Sequence, residues 1–233
     1  MKKILFIDSG LGGATIIKEL MQKGKNFEII FHVENKFAPL GNKSKEKLNQ
    51  ICFEIVNKYV KEYDIQMLVL ACNTLTSACI ENLRKSFSFD IIGVEPNVKV
   101  KDGKTLVLAT PYTIKNGSIL QDKNFIKQTL PKLSKKIDKT YPSLQKCYQY
   151  IQKKLKKYKD FDNIILGCTH YVLIAPFLQN LYKGATIYDS VTGVVNQILR
   201  KIENINWQMA RLQIVLSKND EKLYKKIVQY LSN

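Results

Sequence analysis

The sequence predicts an α/β protein made of two pseudo-symmetric α/β domains with largely parallel sheets. Short apolar runs of strand length alternate with stretches whose apolar residues recur at helical spacing, which is typical of βα units. Two of the runs also end alike, because Cys72 and Cys168 each follow a small residue and precede polar side chains. Ligands of open α/β sheets bind beyond the carboxyl ends of strands. We therefore expect two equivalent halves that face one cleft.

Eight apolar runs are predicted to be strands, at residues 4–7, 29–33, 67–71, 91–94, 106–109, 164–166, 187–188 and 212–216. Apolar residues at helical spacing predict amphipathic helices over 48–60 and 144–155. A last helix should begin near Asn219, with Asp220 and Glu221 in the first turn, where capping and the helix dipole favour them. The basic stretch 132–139 is expected to be irregular.

Length and composition indicate an ordinary globular protein of one or two modest domains, with 233 residues of which 45% are hydrophobic. No apolar stretch approaches the roughly 20 residues of a membrane-spanning helix, so we expect no membrane association and a cytoplasmic location. The five cysteines are odd in number and lack paired short spacings, which predicts reduced thiols and no disulfide framework.

The formal net charge of +17 raises the possibility of nucleic-acid binding. We place that interpretation second, because Arg84, Arg200 and Arg211 are the only arginines and the lysines are scattered along the predicted surface helices. A lysine-rich solvated surface is favoured, and its field should attract anionic substrates.

The cysteines divide into two groups by position. Cys52, Cys79 and Cys147 lie on apolar helical stripes and are predicted to be core residues. Cys72 and Cys168 end strands where the next helix offers free N–H groups and positive dipole, an environment that lowers a thiol pKa. A zinc site formed by these two with His170 and His32 is the competing hypothesis. No metal is expected, because regular Cys and His ligand spacing is absent.

The first strand ends in the segment 8–13, Asp-Ser-Gly-Leu-Gly-Gly. It lacks both the G-x-G-x-x-G order and the P-loop lysine, so a nucleotide-binding loop is not indicated. The glycines are expected to form turns. The Asp8 carboxylate and the Ser9 hydroxyl should stand at the carboxyl end of the strand, beside the two cysteines.

Six motifs in order along the chain resemble those of glutamate racemase, of the cofactor-independent aspartate/glutamate racemase superfamily. They are the segments 6–13 (FIDSGLGG), 39–44 (PLGNKS), 71–74 (ACNT), 93–96 (GVEP), 110–113 (TPYT) and 167–171 (GCTHY). The resemblance implies a first domain of residues 1–96 completed by 190–233, a second domain of residues 97–189, and an active site in the cleft between them.

The resemblance also implies the roles of individual residues. Cys72 and Cys168 would be the acid and base on opposite faces of the substrate, with Asp8 and His170 assisting. The substrate-binding positions would be Asp8, Ser9, Leu40, Gly41, Asn73, Thr74, Thr113, Thr169 and His170.

This sequence departs from the family pattern at two positions. Leu40 stands where the family usually has tyrosine, which matters little if that position contributes mainly backbone. Asp138 aligns with a family glutamate that assists the second cysteine, after an apparent deletion, and a plain surface carboxylate is the alternative interpretation.

The implied activity is the interconversion of L- and D-glutamate without a cofactor, which would supply D-glutamate for peptidoglycan, in an enzyme that is a possible homodimer. An aspartate or broad-specificity racemase of the same superfamily is the nearest alternative. An idle basic nucleic-acid-binding protein and a thiol hydrolase or transferase with one nucleophilic cysteine are further alternatives.

Overall fold

A computed structural model of the chain describes residues 2–23, 27–96, 99–117, 124–202 and 211–233. Its strands form two separate sheets, and every strand pair is parallel. The predicted α/β class with two parallel sheets is confirmed.

The first sheet has five strands: β1 (Lys2–Asp8), β2 (Glu28–Val33), β3 (Asp64–Leu70), β4 (Asp90–Gly93) and β9 (Arg211–Leu216). Their order is β4-β3-β1-β2-β9, which places β1 at the centre and brings the C-terminal strand back beside β2. The carboxyl ends of β1 and β3 are therefore neighbours. Asp8 is the last residue of β1, and Cys72 lies two residues after the end of β3.

The second sheet has four strands: β5 (Thr105–Ala109), β6 (Ile126–Thr129), β7 (Asn163–Gly167) and β8 (Thr186–Tyr188), in the order β6-β5-β7-β8. The edge strand β6 was missed in the sequence, because Ile-Lys-Gln-Thr has one apolar residue and no alternating pattern. The neighbouring ends of β5 and β7 repeat the arrangement of β1 and β3.

The α-helices of the described residues are α1 (Ala14–Met21), α2 (Lys45–Glu62), α3 (Asn73–Ser86), α4 (Pro111–Asn116), α5 (Leu133–Thr140), α6 (Gln145–Leu155), α7 (Ala175–Leu181), α8 (Val191–Lys201) and α9 (Glu221–Ser232). The predicted helices over 48–60 and 144–155 correspond to α2 and α6. The last helix is confirmed, and Asp220 caps it by accepting a hydrogen bond from the Leu223 backbone N–H at 3.0 Å.

The expectation that 132–139 is irregular is wrong, because helix α5 occupies this stretch. Its Leu133 and Ile137 are fully buried and lie four residues apart, so one helical face packs on the core while the lysines remain in solvent. The helix was not predicted because only two apolar residues, Leu133 and Ile137, mark its buried face among lysines and other polar residues.

Both faces of the first sheet are covered. Side chains alternate along β1, so that Ile4 and Phe6 join one apolar cluster with α1, α8 and α9, while Leu5 and Ile7 join the other with α2 and α3. Burial on both faces explains why these strands read as continuous apolar runs.

None of the helices in the described part of the chain combines the length and the apolar character needed to cross a bilayer. The strands of the first sheet come from residues 2–93 and 211–216, and those of the second from 105–188. The domain boundaries at residues 96 and 190 stay predictions.

Candidate active site

Cys72 and Cys168 line one small cavity between the two sheets, at the carboxyl ends of β3 and β7. They are 7% and 6% exposed, whereas Cys52, Cys79 and Cys147 have no solvent exposure and belong to the hydrophobic core clusters. All five cysteines are free thiols. The structure therefore brings together the two cysteines that end strands and separates them from the three on helical stripes.

The cavity has a volume of about 20 Å³, which is room for little more than one water molecule. Of the predicted site residues it is lined by Ser9, Leu40, Gly41, Cys72, Asn73, Thr74, Cys168 and His170. Sequence reasoning missed six of the lining residues: Pro39, Asn42, Thr110, Pro111, Pro131 and Ser134. Thr110 belongs to the motif 110–113 and follows β5 directly. Its position at the end of a strand could have identified it as a site residue.

Asp8 lies beneath the cavity at the end of β1 and has no solvent exposure. Its Oδ2 accepts a hydrogen bond from the Gly13 backbone N–H, and its Oδ1 has no hydrogen-bond partner among the described residues. Burial raises the pKa of this carboxyl to about 6, against the opposing effect of the His170 charge. Asp8 is thus a buried acid with one oxygen unsatisfied.

The expectation that the Cys72 thiol has a lowered pKa is wrong. Burial raises the pKa of this thiol well above its ordinary value, and the nearby Asp8 carboxylate raises it further. The backbone N–H groups of Thr74 and Leu75, at the start of α3, act in the expected direction but are outweighed. Cys72 is consequently a protonated thiol in the closed protein.

Cys168 is connected to a chain of polar side chains. Its Sγ lies 4.0 Å from His170 Nδ1, and His170 Nε2 lies 3.1 Å from Asp138 Oδ1. Burial opposes the charged form of His170, but the Asp138 carboxylate together with Cys168 and Asp8 outweighs burial and raises the His170 pKa well above its ordinary value. The structure thus places an imidazolium beside Cys168 and a carboxylate near Cys72.

Asp138 is held in position by hydrogen bonds from the loop after β1 and from helix α9. Its Oδ1 also accepts a hydrogen bond from the Leu11 backbone N–H at 2.9 Å, and Lys226 on α9 donates to the Asp138 and Lys139 carbonyl oxygens at 2.7 and 2.6 Å. The carboxylate is hydrogen-bonded to His170, and no hydrogen bond joins it to Cys168 among the described residues.

Gly10 and Gly12 do more than form turns. A Cβ at Gly10 would overlap the Asp138 carboxylate and stand 2.7 Å from His170 Nε2, while one at Gly12 would stand 2.5 Å from both His170 Nδ1 and Thr169 Oγ1. The absent side chains allow this first-strand loop to approach the His170 segment. Thr169 is buried against the loop and does not line the cavity.

Three threonine hydroxyls form a chain at the edge of the cavity. Thr74 Oγ1 lies 3.1 Å from Thr110 Oγ1, which in turn lies 2.9 Å from Thr113 Oγ1. Thr110 also caps α4 by accepting from the Thr113 backbone N–H. Thr113 is fully buried and does not line the closed cavity, so its contact with substrate stays a prediction.

Three further lining residues are Asn73, the first residue of α3, and Leu40 and Gly41, which precede α2. Asn73 donates from Nδ2 to the Val94 carbonyl at 3.0 Å, and its Oδ1 has no partner among the described residues. The Leu40 side chain is 2% exposed and packs in the apolar cluster of α2 and α3. Gly41 allows the chain to pass close to Thr110, whose Cβ would be 3.2 Å from an added Cβ.

Within the described residues, no group of three or more His, Cys, Asp or Glu side chains is arranged to hold a metal ion. His32, named in the competing zinc hypothesis, lies on β2 with its Nδ1 3.0 Å from the Tyr59 hydroxyl. It is absent from the lining of the cysteine cavity.

A scan against protein-family models finds no match, but individual proteins do match over most of the chain. A glutamate racemase from Clostridium acetobutylicum is 31% identical, covering 93% of this chain and 92% of its own length. One from Aliarcobacter butzleri is 35% identical over 84% and 82% of the two chains. The solved structure of the glutamate racemase isoform RacE1 from Bacillus anthracis has the same fold, with a TM-score of 0.86 at 24% identity over 100% of this chain and 94% of that one. The resemblance to glutamate racemase is confirmed, and the chain belongs to the glutamate racemase family.

Proposed function

We propose that this protein interconverts L- and D-glutamate, with Cys72 and Cys168 as the two acid/base groups and without a cofactor. One observation carries the proposal: the two cysteines that end equivalent strands of the two sheets line a single cavity. Family membership supports glutamate as the substrate, since the matched relatives carry that name.

The proposed reaction moves one proton on each side of the substrate. A thiolate on one side takes the Cα proton, so that a C–H bond breaks and an S–H bond forms. The thiol on the other side gives its proton to the opposite face, so that its S–H bond breaks and a new C–H bond forms. The protonation states of the two cysteines are exchanged after one turnover, and solvent restores them.

The charges around the cavity support unequal resting roles for the cysteines. The His170 imidazole lies 4.0 Å from the Cys168 sulfur, and its own pKa is raised well above its ordinary value. Burial and the Asp8 carboxylate keep Cys72 protonated, because both raise its pKa. In this scheme Cys168 starts as the base and Cys72 as the acid for one enantiomer.

Polar groups in the cavity are suited to the substrate's own charges. The Thr74 and Thr110 hydroxyls and the Ser9 segment supply hydrogen bonds that would stabilise charge developing on the substrate carboxylate. The unsatisfied Asp8 Oδ1 is suited to the substrate ammonium or to tuning Cys72. Asp8 does not line the closed cavity, so the ammonium contact requires the cleft to open.

Circular dichroism of L- and D-glutamate incubated with metal- and cofactor-free protein tests the activity. We expect wild type to racemise both, and Cys72→Ala and Cys168→Ala to lower the rate by at least about 1,000-fold, because each face loses its only acid or base. Cys147→Ala is the matched control, since this thiol is buried away from the cavity. Full activity in either cavity variant would refute the assignment.

Racemisation in heavy water distinguishes a two-base mechanism from a one-base mechanism. With a thiol on each face, the delivering thiol exchanges with solvent before turnover, so early product carries deuterium at Cα while recovered substrate keeps protium. A single base would return either isotope to either face. Equal deuterium in both enantiomers at low conversion would reject the two-cysteine scheme even in an active racemase.

Aspartate is the second candidate substrate, because Leu40 stands where the resemblance leads us to expect tyrosine. The same dichroism assay with L- and D-aspartate decides between them. If glutamate is the substrate, we propose that the D-glutamate formed is used in peptidoglycan synthesis.

A further inference from the structure

A second, larger cavity adjoins the cysteine cavity. It has a volume of about 420 Å³ and lies between α5, the segment 35–39 and the beginning of α9. It shares Ser9, Pro39 and Ser134 with the cysteine cavity, and Asp138 lies in its wall. We refer to it below as the basin.

The basin carries a strong excess of positive charge. It is lined by Lys36, Lys135, Lys139, Lys218, Lys222 and Lys226, and by the carboxylates of Asp138 and Asp220. Both carboxylates are already engaged, Asp138 with His170 and Asp220 as the cap of α9. Lys226 donates to two backbone carbonyls, but no carboxylate among the described residues pairs with the other five ammonium groups.

The lysines stand on both sides of the basin. Lys135 and Lys139 belong to α5, which packs with the second sheet, while Lys36, Lys218 and Lys222 follow strands of the first sheet. A concave surface with one sign of charge concentrates ions of the opposite sign and raises their rate of association. The cysteine cavity is too small for an amino acid when closed, so a ligand must enter from a neighbouring space.

We propose that the basin is the vestibule through which an anionic amino acid reaches Cys72 and Cys168, and that its lysines favour anions over uncharged molecules. The identity of the amino acid rests on the proposed function. Glutamate carries two carboxylates and one ammonium, so its net negative charge fits this field.

Paired lysine substitutions test the vestibule in the intact protein. Lys135→Gln with Lys218→Gln removes one charge from each side of the basin. Lys153→Gln with Lys154→Gln is the matched control, because it removes the same charge from exposed positions of α6 outside the basin. Any effect of net charge alone is then equal in the two variants.

The first readout is the salt dependence of glutamate racemisation. At an ionic strength near 10 mM we expect the basin variant to lose about 3- to 10-fold in kcat/KM, mainly through KM, while the control stays close to wild type. Near 1 M salt the difference should vanish, because the Debye length falls from about 30 Å to about 3 Å. A basin variant that matches the control at low salt would overturn the proposal.

The second readout does not require racemase activity. Iodoacetate is an anion and iodoacetamide is its neutral analogue, and both alkylate thiols. The ratio of their rates at Cys72 and Cys168, followed by mass spectrometry at mildly alkaline pH, reports anion preference and cancels any change in thiol reactivity. We expect this ratio to fall in the basin variant and not in the control. An unchanged ratio refutes the vestibule, whereas a fallen ratio in a protein inactive on glutamate refutes the proposed function alone.

Discussion

At the scale of single residues, Asp138 contacts His170, which in turn lies 4.0 Å from the Cys168 sulfur. The carboxylate is 3.1 Å from the imidazole and supplies the charge that raises the His170 pKa against burial. The two cysteines therefore differ in their surroundings although their strands are equivalent. We regard Asp138 as a positioning residue whose removal should change the charge of the imidazole.

We predict that Asp138→Asn lowers the His170 pKa, because burial then dominates. The chain has two histidines, so NMR titration of the ring resonances measures this directly. The equilibrium constant between the enantiomers is one, so the values of kcat/KM for L- and D-glutamate must stay equal to each other. The two values of kcat should fall unequally in Asp138→Asn, by about 10-fold or more in one direction.

Asp160→Asn is the control for that variant, since Asp160 is exposed. An unshifted His170 titration together with unchanged kcat in both directions would assign Asp138 to packing alone.

Asp8 leads to a prediction about pH and stability. Its pKa in the folded protein is raised from 3.8 to about 6, so the folded state binds the proton more tightly than the unfolded state. The protonated Asp8 carboxyl therefore contributes to the free energy of unfolding. This contribution is fully present below pH 4 and is lost as the pH rises through 6. The loss amounts to about 3 kcal/mol for a shift of this size.

Urea unfolding of wild type and Asp8→Asn at several pH values between 4 and 7 measures this effect. The free energy of unfolding of wild type should fall relative to that of the variant as the pH rises, by up to about 3 kcal/mol. Parallel pH dependences in the two proteins would contradict a raised Asp8 pKa. The variant's absolute stability is not decisive, because the introduced amide group also needs a partner.

At the scale of elements, the loop after β1 determines how closely the two halves meet. Leu11 donates its N–H to Asp138, and Gly10 and Gly12 leave space for Asp138 and His170. The glycines at this turn are thus required by contacts with a segment that lies far away in the chain.

We predict that Gly10→Ala lowers kcat/KM by about 100-fold, because the added methyl group would displace the Asp138 carboxylate and shift His170, which lines the cavity. Gly193→Ala is the control, since a Cβ there meets nothing within 4 Å and lies in α8. The control should retain activity and gain about 0.5–1 kcal/mol from helix propensity. Racemase kinetics and urea unfolding check both variants, and a fully active Gly10→Ala would refute the close approach.

At the scale of the whole molecule, the proposed function requires the two halves to separate and close again. The closed cavity of about 20 Å³ cannot admit an amino acid, so the contacts that join the halves near it should affect substrate binding. One of them runs from Lys226 on α9 to the carbonyls of Asp138 and Lys139 at the end of α5.

We predict that Lys226→Met favours the open form and raises KM by about 3- to 10-fold, because two charge-assisted hydrogen bonds across the halves are lost. Lys225→Met is the control, since Lys225 pairs only with Glu221 in an exposed i,i+4 ion pair worth little. Equal KM values for the two variants would show that Lys226 does not hold the halves together. The domain boundaries and a homodimeric assembly stay predictions.

Local patterns were sufficient to predict much of the fold and the centre of the site. Apolar runs predicted eight strands, and the shared strand endings singled out Cys72 and Cys168 from five cysteines. The Asp220 cap was also visible, because capping involves neighbouring residues. Such features depend on the periodicity of burial and on short-range hydrogen bonds, which adjacent residues carry.

The electrostatics of the site were decided by tertiary structure. Leu11 and Asp138 are 127 residues apart, yet their hydrogen bond helps to hold the carboxylate that keeps His170 charged. The raised Cys72 pKa, opposite to the expectation from its helix, follows from enclosure and from Asp8 on another strand. A pKa depends on desolvation and on charges within a few ångströms, and those distances exist only once segments remote in sequence have packed together.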